Sequence, residues 1–255
     1  MSDTVQLDWD GDVATLTVAR PESMNALNTE TLYAIGESLT AAAGRARALI
    51  LTGAGEKAFV AGADIAQMQD LDSKAAYEYA ELGHDVMDAV ESFPAPVIAA
   101  VNGYAFGGGC EIALAADMRV AAENALIGQT EISLGIVPGF GGTQRLTRIV
   151  GDEQARRMVF LGKRIGAHEA LDIGLVGEVV SEGESLSRAT ELAEEVAAMP
   201  AFALQTAKAA MNQVQQGDLD SGLAYERRAW AGLFGTPDQR EGMQAFLEKR
   251  DAEFQ

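Results

Sequence analysis

The segment that most constrains this chain is NGYAFGGGCEIALAADMRVAAENALIGQTE, which runs from Asn102 to Glu131. It is apolar enough to belong to a protein core, yet it contains three consecutive glycines, Gly107–Gly109, and the glutamates Glu111 and Glu131. A buried carboxylate is costly unless it is paired or hydrogen-bonded, and consecutive glycines weaken any helix or strand. A core segment that carries both calls for a functional or a packing explanation.

Strands that alternate with helices are predicted around this segment. Apolar runs indicate buried strands at residues 48–52 and 97–101, and a third strand is predicted near residues 119–121. Before them, alternating residues around Asp10 and Gly11 indicate a hairpin, and Asn28 is placed to cap a helix. Helices are predicted at residues 28–43, 73–91, 142–150, 153–161, 167–173, 184–198, 202–214, 220–234 and 238–250, and a short apolar helix is predicted to end near residue 116. This order favours one α/β domain with near-parallel strands and a helical C-terminal extension.

The charge of the chain disfavours nucleic acid as a partner. The sequence has 38 aspartates and glutamates against 19 lysines and arginines, a formal net charge of −19 over 255 residues. Binding to phosphates depends on basic side chains, which are scarce here. The acidic residues are scattered at spacings that place them on outer helix faces, which indicates a solvated acidic surface. A sharper interpretation is adaptation to very high salt, where a Debye length of ~3 Å mutes repulsion between carboxylates.

Several other classes of protein are also disfavoured. No apolar run approaches the ~20 residues of a membrane-spanning helix, and the acidic start MSDTVQLDWD is unlike a signal peptide. The single cysteine, Cys110, excludes an internal disulfide framework, is expected to be a small core residue, and indicates a cytoplasmic protein. His84 and His168 have no nucleophile or ligand cluster near them, so neither a hydrolase triad nor a metal site is supported. Gly53 and Gly55 lack the third glycine of a dinucleotide-binding turn.

Two loops that are rich in small residues follow predicted strands and are candidates for a ligand site. AGADI, residues 61–65, comes after the strand at 48–52, and GYAFGGGCE, residues 103–111, comes after the strand at 97–101. In an open α/β sheet such loops line the crevice in which ligands bind, and the two loops meet if their strands are near neighbours. Two backbone N–H groups that converge on one point form an oxyanion hole. The alternative, that Gly107–Gly109 serve only the tight packing of a helix, is left open by the sequence.

The two glutamates add a chemical argument. Glu111 falls in the first turn of a helix that is apolar on all sides, and Glu131 precedes the apolar run ISLGIVPG, so both are expected against a buried background. A glutamate near a helix N-terminus can serve as a cap or as a partner of the helix dipole. Two carboxylates that converge beside an oxyanion hole can instead hold one water, one as base and the other as acid. That chemistry suits the addition or removal of water beside an activated carbonyl group.

Several motifs, taken in order, resemble one known family. AFVAGADI, VNGYAFGGGCEIALAADMRVA, QTEISLGIVPGFGGTQRL, the turn into GLV at residues 174–176 and EGMQAFLEKR resemble the crotonase superfamily, specifically its enoyl-CoA hydratases. The resemblance runs from RPESMNAL, residues 20–27, to the C-terminus. It implies a crotonase-like spiral of ββα units as the catalytic core over residues 1–185 and a helical trimerisation segment over residues 186–255. The implied assembly is a homohexamer, a dimer of trimers.

The resemblance also implies roles for individual residues. The N–H groups of Ala63 and Gly108 would hold the thioester carbonyl of an acyl-CoA. Glu111 would activate the attacking water, and Glu131 would deliver the proton to the α-carbon. Coenzyme A is then part of the substrate, and no metal or other cofactor is implied. Further contacts to the CoA or acyl group are expected from Arg20, Met24, Lys57, Ala61, Asp64, Ile65, Phe106, Gly139, Phe246 and Lys249.

One position departs from the family. Glu22 stands where the family often has a lysine near the CoA nucleotide. Arg20, Lys57 or the Lys249 of a neighbouring subunit would have to supply more of the contact to phosphate. A chain with this net charge is also expected to repel polyanionic CoA at low salt, so that activity rises with KCl.

The leading hypothesis is therefore the reversible hydration of short-chain trans-2-enoyl-CoA to 3-hydroxyacyl-CoA. An enoyl-CoA isomerase is one alternative, but it moves a proton and needs no second carboxylate, so Glu111 argues against it. A non-catalytic protein on the same scaffold, for instance one that binds RNA, is disfavoured by the acidity and by the intact pair of glutamates. Candidates for shaping the acyl pocket, each more often plain core, are Met68, Met87, Phe106 and Phe140.

Overall fold

A six-stranded sheet forms the larger layer of the protein. The computed structural model describes residues 3–254, apart from the side chains of residues 214–216. Across this sheet the strands are β1 (Val5–Asp10), β2 (Val13–Val18), β3 (Ala48–Gly53), β5 (Val97–Val101), β7 (Met118–Ala122) and β10 (Glu178–Val180). β1 pairs antiparallel with β2 in the predicted hairpin, and every other neighbouring pair is parallel. The prediction of near-parallel strands is confirmed.

A smaller, four-stranded sheet was not predicted. Its strands, in order, are β4 (Ala58–Val60), β6 (Tyr104–Phe106), β8 (Leu126–Gly128) and β9 (Arg164–Gly166). β4, β6 and β8 are parallel, and β9 pairs antiparallel with β8. Each of these strands has three residues, too few for an alternating pattern to emerge from the sequence.

Helices surround the two sheets, and most agree with the predictions. They are α1 (Thr29–Ala42), α2 (Ile65–Met68), α3 (Ser73–Glu91), α4 (Gly108–Ala115), α5 (Gly142–Val150), α6 (Asp152–Phe160), α7 (Ala167–Asp172), α8 (Ser185–Ala197), α9 (Ala201–Gln216), α10 (Leu219–Gly232) and α11 (Pro237–Glu248). Asn28 caps α1 by accepting a hydrogen bond from the Thr31 N–H, as predicted. Only the one-turn helix α2, which Asp64 caps, has no counterpart among the predicted helices.

The core lies on both faces of the six-stranded sheet. On β3, Leu49 and Leu51 face the main cluster, which α1, α3 and α4 also fill, while Ala48 and Ile50 face α8 on the other side. Alternate side chains of a strand point to opposite faces, so an entirely apolar strand serves both layers. These layers are those expected of an α/β fold, which confirms the predicted fold class.

The packing of α8 bears on the predicted division at residue 185. Ala189 and Ala193 of α8 are fully buried against the sheet, so this helix belongs to the layers of the core. The division of the chain at residue 185 stays a prediction. Residues 1, 2 and 255, which the predicted ranges include, lie outside the described residues.

The last three helices are anchored to the core through a buried lysine. Lys208 of α9 is 8% exposed, and its Nζ lies 2.7 Å from Oδ2 of Asp117. The same ammonium group donates to the carbonyl of Ala95 at 3.2 Å. Burial lowers the pKa of Lys208, and the charge of Asp117 opposes that change. The pair ties α9 to the sheet beside β5.

Candidate active site

A cavity opens where the three parallel strands of the small sheet end. The segments that follow β4, β6 and β8 line a cavity of about 310 Å³. The two small-residue loops follow the strands at residues 48–52 and 97–101, as predicted, but the short strands β4 and β6, which were not predicted, lie between. The longer strands are nonetheless neighbours, as the hypothesis required. Parallel strands bring their carboxyl ends to one edge, where α/β proteins bind ligands.

The N–H groups of Ala63 and Gly108 are available to a ligand in this cavity. Ala63 forms a parallel bridge with Leu27, in which the Leu27 N–H donates to the Gly62 carbonyl and the Asp64 N–H donates to the Leu27 carbonyl. The N–H of Ala63 thus points away from Leu27, and within residues 3–254 it has no backbone acceptor. Gly108 is the first residue of α4, where no acceptor exists inside the helix. Both residues line the cavity.

The consecutive glycines serve packing and the cavity at once. A Cβ on Gly109 would overlap the carbonyl oxygen of Val60, so α4 lies directly against β4 only because this position has no side chain. Gly107 has a φ of 47°, and a Cβ there would lie 3.0 Å from Oε1 of Glu131. The packing interpretation therefore applies to Gly109, and the oxyanion-hole interpretation stays a prediction.

Glu111 is buried and is held by two backbone donors. Glu111 is 1% exposed, and every other residue of α4 is buried as well. Its Oε1 accepts hydrogen bonds from the N–H groups of Phe140 at 2.8 Å and Gly142 at 2.7 Å. Burial, together with the charge of Glu131, raises the pKa of Glu111 to about 7, while the two hydrogen bonds oppose the rise. A carboxyl group with such a pKa can take up and return a proton near neutral pH.

Glu131 faces the same cavity from the short 3-10 helix Glu131–Leu134. The residue is half-buried, and this burial raises the pKa of its carboxyl group. The amide of the fully buried Gln129, oriented to satisfy its neighbours, donates to both carboxylate oxygens of Glu131 at 3.0 and 3.2 Å. Sequence reasoning missed Gln129. The available signal was a polar residue in an otherwise apolar run, two positions before the glutamate.

The remainder of the cavity is apolar. Its walls come from α2, α3 and the segment that follows Glu131. The expectation that ISLGIVPG gives Glu131 a buried background is wrong, because Ile132, Leu134, Ile136 and Val137 are 40% to 61% exposed. The structure places Leu134, Ile136 and Val137 at the cavity, where their exposure leaves apolar surface for a ligand.

Two of the four candidates for shaping the acyl pocket line the cavity, and the other two do not. Met68 and Phe140 line the cavity. Met87 is fully buried in the main core cluster and is a packing residue. Phe106 lies outside the lining, stacked on Tyr104 at 5.2 Å between ring centroids, with the Arg164 guanidinium 4.6 Å from its own centroid.

Among the predicted substrate contacts, Ala61, Ile65 and Gly139 line the cavity. Arg20 and Asp64 instead bind each other at 3.1 Å, with side chains 15% and 17% exposed. Asp64 also caps α2, and Arg20 donates to a neighbouring backbone carbonyl at 2.6 Å. This ion pair holds the loop that carries Ala63.

The other predicted contacts lie away from the cavity within one chain. The carbonyl of Met24 accepts a hydrogen bond from the Ala61 N–H, and Lys57 is exposed. Phe246 is on α11 and is 83% exposed, and Lys249 follows directly after that helix. Neither residue lines the cavity, and their contact with a bound CoA stays a prediction.

Two other classes of site, a metal centre and a membrane-spanning helix, have no counterpart in residues 3–254. Within that range no three side chains of His, Cys, Asp or Glu come together to hold a metal ion. None of the described helices is both long and apolar enough to cross a membrane. Cys110 is fully buried, as expected, and burial raises the pKa of its thiol. His84 and His168 are exposed.

Comparison with known proteins identifies the family. The model that describes the enoyl-CoA hydratase/isomerase family matches residues 9–255, nearly the whole chain. This chain belongs to that family. The matched range contains the motifs that carried the resemblance, and the predicted relationship to the crotonase superfamily is confirmed.

Relatives within the enoyl-CoA hydratase/isomerase family match over nearly their full length. The short-chain-enoyl-CoA hydratase of Clostridium acetobutylicum is 46% identical over 253 residues, which cover 98% of this chain and 96% of that protein. The crotonyl-CoA hydratase of Syntrophomonas wolfei is 46% identical over 254 residues, which cover 99% and 98%. The crystal structure of an enoyl-CoA hydratase from Bacillus anthracis superposes with a TM-score of 0.95 at 40% identity, covering 98% of each chain.

Proposed function

We propose that this protein catalyses the reversible addition of water to trans-2-enoyl-CoA, giving 3-hydroxyacyl-CoA. The observation that carries the proposal is the convergence on one cavity of two carboxyl groups, Glu111 and Glu131, and two N–H groups, those of Ala63 and Gly108. Relatives named as hydratases, 46% identical over nearly the whole chain, support the same reaction.

The proposed mechanism follows from the charge that develops during addition. The N–H groups of Ala63 and Gly108 bind the thioester oxygen and withdraw electrons from the adjacent double bond. Water, held between Glu111 and Glu131, adds at the β-carbon, and the enolate charge is stabilised on the oxygen that the two N–H groups address. Each such donor typically lowers the barrier by about 3–4 kcal/mol.

The division of labour between the glutamates is part of the proposal. Glu111 accepts a proton from the attacking water, and Glu131 delivers a proton to the α-carbon. The pKa of both groups is raised, chiefly by burial, and the charge of Glu131 contributes to the shift at Glu111. Because interacting carboxyl groups titrate as a pair, the pH profile of the reaction will report the pair and not one residue.

Short acyl chains are the proposed substrates. Tyr79 and Phe140 are part of the lining of the cavity of about 310 Å³, and their rings meet edge to face at 5.4 Å. The Tyr79 hydroxyl donates to the Leu27 carbonyl, which fixes its ring. Two relatives bear the names short-chain-enoyl-CoA hydratase and crotonyl-CoA hydratase, in agreement with a limited acyl length.

A direct assay tests the proposed function. Addition of the protein to crotonyl-CoA should remove the absorbance of the conjugated thioester, with 3-hydroxybutyryl-CoA as the product. An isomerase would leave crotonyl-CoA unhydrated but would convert a 3-enoyl-CoA, and a non-catalytic protein would do neither. Glu131→Gln should reduce kcat by at least about 100-fold, the scale of one lost general acid or base. Full activity of that variant would contradict the assigned mechanism.

A homohexamer, a dimer of trimers, is the proposed assembly. The helices α9, α10 and α11 expose large apolar side chains, among them Met211 (73%), Trp230 (64%) and Phe246 (83%), as subunit interfaces do in isolated chains. Sedimentation analysis should give six chains, and Trp230→Asp should produce smaller species. A monomer that retains full hydratase activity would contradict both the assembly and the contribution of Phe246 and Lys249 to a neighbouring site. The cytoplasmic location and the absence of any cofactor remain predictions.

A further inference from the structure

Arg145 lies outside the cavity but reaches the backbone that holds Glu111. It is on the first turn of α5 and is 8% exposed. Its Nη1 donates to the carbonyl oxygen of Phe140 at 3.2 Å. On its other side, Nε donates to Glu91 at 2.8 Å and Nη2 to Asp88 at 2.6 Å, both on α3. The guanidinium group therefore ties the turn before α5 to α3.

The carbonyl that Arg145 binds occupies the middle of that turn. It belongs to the peptide unit between Phe140 and Gly141, and the units on either side carry the two N–H groups that donate to Glu111. Because each peptide unit is planar, fixing the middle one restricts the directions of its neighbours. Gly141 has a φ of 103° and no Cβ, so the turn needs an external contact to keep one conformation.

We propose that Arg145 is a positioning residue for the hydration reaction, an inference that rests on the proposed function. Through the Phe140 carbonyl, it keeps the N–H groups of Phe140 and Gly142 aimed at Oε1 of Glu111. The carboxylate is thereby held in one orientation, with its second oxygen left for the catalytic water. Arg145 does not line the cavity. Its positive charge also lowers the pKa of Glu111, and this charge is the same in an arginine and in a lysine.

The chemistry of this contact requires an arginine. Three acceptors surround the guanidinium group, on Phe140, Glu91 and Asp88, and its planar fork of five donors reaches all three at once. A lysine ammonium group is a single point on a flexible stem and cannot span the same acceptors. A Cβ on Gly141 would overlap Nη1, so the guanidinium group lies directly against the turn. Substitution of Arg145 by lysine keeps the positive charge but loses the planar arrangement of donors that reaches all three acceptors.

The first test is Arg145→Lys, assayed with crotonyl-CoA. We expect kcat to fall by about 10- to 100-fold, the effect of misplacing a catalytic group by about 1 Å, with little change in KM. Arg148→Lys is the matched control, because Arg148 lies one turn further along α5 and donates to the carbonyl of Gln144, outside the cavity. The control should keep the parental kcat.

A double-mutant cycle separates positioning of Glu111 from a general structural role. If Arg145 acts through Glu111, then Arg145→Lys in a Glu111→Ala background should lower the residual kcat by less than about twofold. An equal fold-loss in both backgrounds would overturn the proposal, as would a folded Arg145→Lys with the parental kcat. Failure of the parental protein itself to hydrate crotonyl-CoA would instead refute the proposed function.

A second variant keeps the test decisive if Arg145→Lys does not fold. Glu91→Gln with Asp88→Asn retains the arginine but removes the charges that anchor it to α3. The same pattern is expected, with kcat lowered in the parental background and nearly unchanged in the Glu111→Ala background. If this double variant folds and keeps the parental kcat, the contacts of Arg145 with α3 do not help to position Glu111, and the proposal is overturned.

Discussion

A carboxyl group that is 1% exposed stands at the centre of the proposed site. Folding takes Glu111 out of water and raises its pKa to about 7, while the N–H groups of Phe140 and Gly142 and the charge of Arg145 oppose this rise. Burial of an ionised group costs stability, and catalytic sites commonly accept that cost. At the residue scale, the stability of the protein and the proposed proton transfer therefore both depend on whether the Glu111 carboxyl group is protonated.

The stability of the protein should fall as pH rises through the range in which Glu111 ionises. Its pKa is raised from 4.5 to about 7 on folding, so the unfolded chain loses this proton at lower pH than the native protein. Between those values the native state holds more protons, and the free energy of unfolding decreases with rising pH by on the order of 3 kcal/mol. Below pH 4.5 this penalty is absent, and above pH 7 it is complete.

Glu111→Gln should remove that dependence. Thermal unfolding at pH 5 and pH 8 should show the variant to be more stable than the parent at pH 8, and the difference should shrink at pH 5. Glu81→Gln, at an exposed position on α3, is the control and should not gain stability at pH 8. A Glu111→Gln protein that is no more stable than the parent at pH 8 would contradict the assignment of the penalty to Glu111.

Gly107→Ala should disable the site while leaving the fold in place. The backbone of Gly107 has φ 47° and ψ −120°, a conformation that residues with a Cβ rarely adopt, and the new methyl group would lie 3.0 Å from Oε1 of Glu131. We expect kcat to fall by about 100-fold, as displacement of one acid or base implies. Gly166→Ala, where a Cβ meets nothing within 4 Å, is the control. Equal activities of the two variants would contradict the prediction.

At the scale of elements, three short strands assemble the site. β4, β6 and β8 deliver the loop of Ala63, the start of α4 and the segment of Glu131 to one edge. α3 closes the opposite side of the cavity. At Gly83 of this helix, the ring of Phe140 occupies the space that a Cβ on Gly83 would take. The depth of the acyl pocket thus depends on contacts of Phe140 with α3.

Phe140→Ala should lengthen the acyl chain that the enzyme accepts. Removal of the ring extends the cavity towards α3, while the backbone N–H that donates to Glu111 is retained. The ratio of kcat/KM for octenoyl-CoA to that for crotonyl-CoA should rise by about tenfold, a modest gain for several added methylene contacts. Phe160→Ala, at a 63% exposed site, should leave the ratio unchanged. An unchanged ratio in an active Phe140→Ala enzyme would show that another residue limits chain length.

At the scale of the whole molecule, the strongly negative net charge is the property that bears most on the approach of a charged substrate. The net charge of −19 arises from scattered acidic residues, and the Arg20 side chain, a candidate for binding CoA phosphate, is already paired with Asp64. A polyanionic substrate therefore approaches a molecule whose net charge has its own sign. Salt should relieve this repulsion.

Activity with crotonyl-CoA should rise with KCl over the molar range, mainly through a lower KM, because screening shortens the reach of the surface charges. The matched comparison uses the N-acetylcysteamine thioester of crotonic acid, which has the same reacting group and no phosphates. Its KM should respond much less to KCl. An optimum near zero salt, with full stability there, would rule out the interpretation of the acidic surface as salt adaptation.

The sequence by itself determined the elements with long or regular patterns. The hairpin, the strands at residues 48–52 and 97–101 and most of the helices were predicted within a few residues, because periodicity and continuous apolar runs are local properties. The ordered motifs also led to the family, and Ala63, Gly108, Glu111 and Glu131 were singled out before any contact was known. The structure then brought all four to one cavity.

Only the tertiary structure decided what surrounds those four residues. Three-residue strands gain their stability from pairing with one another, so the small sheet has no local signature. The pairing of Arg20 with Asp64, the approach of Gln129 to Glu131 and the link from Arg145 to Phe140 depend on where each side chain is buried. The apolar run after Glu131 reads as core but lies open at the cavity. Burial is a property of the assembled molecule, because it depends on residues that are distant along the chain.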